Sequence, residues 1–118
     1  MLAHPNKKDL IYPLGNTIVV KNIDSGSQNF LSGHTDNVSC VALSKSGKYV
    51  ASGQSTYMGF KADVIVWDFE SRTLYCRLVL HKVKVEALAF SPNERYLATL
   101  GGQDDGRFEF YNTVNYRY

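Results

Sequence analysis

The chain has 118 residues, 44% of them hydrophobic and 20% charged, with a formal net charge of +2. That length allows one domain with a real core, and the composition excludes a disordered segment. The near-neutral balance gives no support to nucleic acid or an anionic membrane as partner, and no window approaches the ~18 consecutive apolar residues of a membrane span.

The N-terminus, MLAHPNKKDL, lacks the apolar stretch of a secretory signal, so the chain reads as intracellular. His4, in HPNKKD, reads as a turn residue. The runs that follow are short and rich in β-branched and aromatic residues: TIVVKNI, QNFLSG, VSCVAL, YVASG, DVIVWD, LYCRLVL, VEALAF, YLATL and RFEFYN. Turn signals separate many of them: DSGS, SKSG, FESR, SPNE and QDDG. None has the 3.6-residue period of an amphipathic helix, and the chain is predicted to be all-β. One connection is out of scale. Between YVASGQ and VIVWD stand nine residues, STYMGFKAD (55–63), where a turn of about two or three residues would usually suffice.

Cys40 and Cys76 lie inside apolar runs, with no CxxC spacing and no nearby pair of histidines; they read as small buried hydrophobes. Asn37-Val38-Ser39 fits a glycosylation sequon, which carries little weight without a secretory signal.

An internal repeat underlies the pattern. With the stretch from His34 laid over the stretch from His81, Val38 falls on Val85, Val41 on Leu88, Leu43 on Phe90, Ser44 on Ser91, Tyr49 on Tyr96, Ala51 on Ala98 and Ser52 on Thr99. The second copy then drops three residues, and VIVWD (64–68) meets FEFYN (108–112). A partial copy, LIYPLGNTIVVKNID, stands in front.

Ser32-Gly33-His34, VSCVALSKSGKYVASG and VIVWD together resemble a WD40 repeat, and the stretch from Leu80-His81 to Tyr111-Asn112 resembles a second, degenerate one. The fold this implies is a β-propeller of four-stranded blades. About two and a half such units are expected: 1–33 as strands b to d of a first blade, 34–80 as a complete repeat, and 81–118 as a repeat stopping after its third strand. Such an incomplete propeller would leave strand edges unpaired. The chain is therefore expected to be a piece of a longer protein, or to have its edges covered by neighbours in an assembly.

The resemblance also implies a structural tetrad at each blade junction. One set is His34, Ser52 and Trp67; the family's Asp position holds Lys61, and Asp63 is the candidate replacement. The next set is His81, Thr99 and Asp105, with Tyr111 in place of the tryptophan. These residue types suit a buried polar network, in which each group satisfies another that would otherwise be desolvated without a partner.

A Ser–His–Asp triad is the competing reading of the same residues, but Ser52 lies mid-strand with no GxSxG turn to expose its Oγ. GGQDDG (101–106) lacks both EF-hand spacing and a phosphate loop, and reads as a turn. Neither a catalytic residue nor a cofactor or metal site is expected, and the chain is predicted not to be an enzyme. For the loop, two readings stand open. Tyr57, Met58 and Phe60, edged by Lys61 and Asp63, are residue types that suit a partner-binding rim, or Met58 and Phe60 fold back to cover their own blade.

The wider pattern, from YPLGNTIV through TYMGFKADVIVWD to ALAFSPN and LGGQDDG, resembles a ciliary group of WD-repeat proteins. It implies a non-catalytic scaffold inside the doublet microtubules of motile cilia, contacting tubulin and other axonemal or microtubule-lumen proteins. The alternative is a soluble cytoplasmic WD40 adaptor that brings a peptide or protein partner to a propeller rim.

Overall fold

A computed structural model describes residues 2–56, 61–82, 84–101 and 108–112, with the backbone alone at 61, 79–82 and 108–112. The described residues form three antiparallel sheets, and every strand pairs with its neighbour in sequence. The first contains β1 (Leu2–Ala3), β2 (Asp9–Leu14), β3 (Thr17–Asn22) and β4 (Gln28–Ser32). The second contains β5 (Val38–Leu43), β6 (Tyr49–Gln54), β7 (Lys61–Asp68) and β8 (Thr73–Lys82). The third contains β9 (Val85–Phe90), β10 (Tyr96–Gly101) and β11 (Phe108–Asn112). The fold is all-β, built from propeller-type meanders, and as a propeller it is incomplete.

The repeat is visible as register. Val50 pairs with Trp67 and Tyr49 with Asp68 in the second sheet; Leu97 pairs with Tyr111 and Tyr96 with Asn112 in the third. Turn chemistry sets the strand ends. Between β3 and β4 the Asn22 carboxamide accepts the N–H groups of Asp24 and Ser25, each at 3.0 Å, which folds the chain back as an Asx turn.

The sheets stack face on face, and the core lies between them. Ile11, Ile18, Val20 and Leu31 of the first sheet meet Val50, Ile65, Trp67 and Phe69. On the other side of the second sheet, Ala42, Ala51, Ala62, Val64, Val66, Cys76 and Leu78 meet Val85 and Leu97 of the third. Because side chains alternate along a strand, β7 must be apolar on both faces, which explains its unbroken VIVW run. Gly53 marks the tightest approach: a Cβ there would lie 2.5 Å from Val85 Cβ and 3.0 Å from Cys40 Sγ. Cys40 and Cys76 are free, and burial pushes the Cys76 thiol up to about 11, so it is protonated at neutral pH.

One local reading is corrected. Lys61 and Asp63 are not loop residues but belong to β7, where Lys61 pairs with Lys82, Ala62 with His81 and Asp63 with Val79. Fully buried Ala62 anchors this extension. His4 opens a turn as expected, its carbonyl accepting the Lys7 N–H at 2.9 Å. It is buried, its ring stacks on Phe69 with centroids 3.9 Å apart, and its Nε2–H donates to the Gly47 carbonyl at 2.9 Å. Gly47, at φ +82°, leaves no room for a Cβ beside that imidazole. Tyr57, Met58 and Phe60 lie outside the described residues.

Candidate functional site

The most developed polar site lies at the junction of the first two sheets. β6 alternates its faces, so Ser52 and Gln54 both point toward the connection that runs from β4 to β5 and carries His34. β7 sets Trp67 on the same side. Trp67 Nε1–H donates to Ser52 Oγ at 2.8 Å, and an indole can only donate. The Ser52 hydroxyl then donates to His34 Nε2 at 2.6 Å. His34 Nδ1–H donates to Gln54 Oε1 at 2.8 Å, and Gln54 Nε2–H continues to Thr35 Oγ1 at 3.0 Å. The result is a one-way chain of four hydrogen bonds in which every link is fixed by its neighbour.

Three of the expected residues, His34, Ser52 and Trp67, thus come together. The fourth place is taken by Gln54. Asp63 does not join: its carboxylate pairs with Arg77 at 2.6 Å, and Arg77 also donates to the Gly33 carbonyl at 2.6 Å. Asp63 and Arg77 thereby fasten β7 and β8 to the segment just before His34. Gln54 carried a signal in the sequence, since it stands two residues beyond Ser52 and must share its face. Arg77 carried none, because cross-strand register is not legible in one sequence.

Burial pushes the His34 pKa below its ordinary value, and the hydrogen bond to Gln54 opposes this only in part. The ring is therefore neutral at physiological pH, in keeping with a neutral carboxamide rather than a carboxylate at Nδ1. Ser52 is fully buried and its Oγ already serves Trp67 and His34, which leaves no approach for a substrate. The geometry suits a structural peg between sheets, not a nucleophile.

In the third sheet Thr99 is fully buried and pairs with Leu88, on the face turned toward the second sheet, as Ser52 faces the first. His81 and Tyr111 lie on β8 and β11, where only the backbone is described, and Asp105 lies outside the described residues. Among the described residues no group of three or more His, Cys, Asp or Glu is placed to hold a metal, and no helix is long and apolar enough to cross a membrane.

Stacked four-stranded meanders with a Trp–Ser–His peg at the junction define a propeller-blade protein. Residues 25–68 and 72–112 match the family described as "WD domain, G-beta repeat", and the chain belongs to the WD-repeat family. It is similar to cilia- and flagella-associated protein 52 of Bos taurus, at 63% identity over 104 residues covering 88% of this chain and 17% of that protein. The protein of the same name from Chlamydomonas reinhardtii is 57% identical over 116 residues, covering 98% and 19%. WD repeat-containing protein 90 of Homo sapiens is more distant, at 34% over 118 residues, covering 98% and 7%. The chain thus spans less than a fifth of the length of these relatives. Among solved structures, the WD40 repeats of RRP9 superpose with a TM-score of 0.82 at 22% identity, over 99% of this chain and 36% of that one, a likeness of fold.

Proposed function

We propose that this chain forms part of a non-catalytic WD-repeat scaffold of cilia and flagella. It acts as a microtubule inner protein that contacts tubulin and neighbouring lumen proteins and stabilises axonemal doublets. The observation that carries this reading is the 63% identity with cilia- and flagella-associated protein 52 of Bos taurus. The buried state of Ser52 supports the absence of catalysis.

In this reading the units 1–33, 34–80 and 81–118 are successive blades. His34, Ser52 and Trp67 serve as a structural junction with Gln54, and His81, Thr99, Asp105 and Tyr111 as its counterpart. Tyr57, Met58 and Phe60 form the partner-binding rim, with Lys61 and Asp63 at its base on β7. The test is an immunoblot of demembranated, salt-washed axonemes with an antibody to this segment. Retention in the residual fraction is expected. Release with the membrane-matrix fraction, together with expression in cells that lack cilia, would overturn the scaffold in favour of a soluble adaptor. Tyr57→Ala combined with Phe60→Ala is expected to weaken axonemal retention while the far-ultraviolet circular dichroism stays unchanged. Loss of the fold instead would show that the loop covers its own blade.

A further inference from the structure

The turn between the first two strands of each sheet repeats one conformation. The amides of Lys7, Gly47 and Glu94 bond back three residues to the carbonyls of His4, Ser44 and Ser91, each at 2.9 Å, and all three residues have positive φ (61°, 82° and 63°). The residue before each is Asn6, Ser46 or Asn93. Its side-chain oxygen accepts the N–H two positions on, at 2.8, 3.3 and 3.0 Å respectively. The middle copy differs in one respect. Ser46 is exposed, and its hydroxyl reaches out of its own sheet to donate to Glu94 Oε2 at 2.7 Å, while its backbone N–H donates to the same oxygen at 2.9 Å. Glu94 makes this contact from a left-handed backbone position where glycine is unstrained and glutamate is not. The turn itself requires no carboxylate there, since Lys7 holds the same position in the first sheet; the Glu94 carboxylate is held by the Ser44 side chain as well as by Ser46.

Ser46 is also flanked by Lys45 and Lys48 in the same exposed turn. By contrast, the hydroxyls of Ser25 and Ser71 bond within their own turns. We propose that Ser46 is a phosphorylation site whose modification releases this rim contact between the second and third sheets. A protein kinase transfers the γ-phosphoryl group of a nucleoside triphosphate to Ser46 Oγ. The new P–O bond forms as the bond to the bridging β-phosphate oxygen breaks, the hydroxyl proton passes to the kinase's base, and the nucleoside diphosphate leaves. The product has lost its donor and carries a charge of about −1.5 to −2 beside the Glu94 carboxylate. Repulsion displaces Glu94, and Lys45 and Lys48 take over the phosphate as charge-assisted partners. The Ser46 amide then loses its cross-sheet acceptor as well.

That amide is the readout. The full chain is incubated with ATP and a basophilic serine/threonine kinase, the phosphosite is mapped by mass spectrometry, and amide hydrogen exchange is compared before and after, in the wild type and in Glu94→Gln. The expected result is phosphate on Ser46 and roughly tenfold faster exchange of the Ser46 amide, with little acceleration in Glu94→Gln because a carboxamide does not repel the phosphate. Three outcomes would each overturn the proposal: no phosphate on Ser46, unchanged exchange in the phosphorylated wild type, or equal acceleration in Glu94→Gln.

Discussion

At the scale of single residues, the chain from Trp67 to Thr35 makes unequal demands on its members. Trp67→Phe removes the Nε1–H and also shrinks a buried bicyclic ring to a single six-membered one, so the about 1–3 kcal/mol of the lost hydrogen bond is joined by a cavity term, read in urea unfolding as a lower midpoint at unchanged m. Ser52→Ala leaves almost no cavity, so its destabilisation reports the polar network itself: both the indole N–H and His34 Nε2 lose their buried partner. The pH dependence follows from the lowered pKa of His34. The unfolded chain binds the proton more readily, so the contribution of His34 is complete above its unfolded value near 6.5 and is lost as pH falls from there toward the lowered folded value. Denaturation at successive pH values should show this decline, and Gln54→Glu, which places a carboxylate at Nδ1–H, should flatten it. His34, Ser52 and Trp67 were legible because each stands at a motif position. Gln54 lies outside the motif, and only its spacing of two residues from Ser52, which sets both on one face of the strand, pointed to it.

At the scale of elements, the strands announce themselves where β-branched residues run together and are silent elsewhere. β1 is two residues long, and Leu2–Ala3 has no pattern of its own; its pairing with Leu10 and Ile11 creates it. Lys61–Asp63 has poor strand propensity yet extends β7, because β8 runs far enough to pair with it. In both cases a neighbouring strand decides what local preference leaves open. The close approach at Gly53 is the element-scale counterpart of the polar peg. Gly53→Ala drives a methyl group into Val85 and Cys40 and is expected to cost about 1–3 kcal/mol by overpacking. Val85→Ala in the same chain should recover part of that loss, a coupling that a double-mutant cycle measures directly.

At the scale of the whole molecule, apolar surface stays open on the first and third sheets. Leu14 and Phe30 are 62% and 56% exposed on the first, and Tyr96 and Leu100 are also exposed on the third. Phe30→Ser together with Leu100→Ser is expected to lower light scattering on concentration without lowering the thermal transition, since neither side chain belongs to either core. The stacking itself was legible in the repeat, but which faces stay uncovered was not, because the alternation of one strand does not say what lies opposite. The two-sided burial of β7 has a thermodynamic corollary. In a nearest-neighbour description the second sheet carries two interface energies and each of its neighbours one. Opening the first or third sheet forfeits a single interface, whereas opening the second forfeits both at once. Slowest amide exchange is thus expected in β6 and β7, and partial unfolding proceeds from the flanks inward, with the central meander the last to yield.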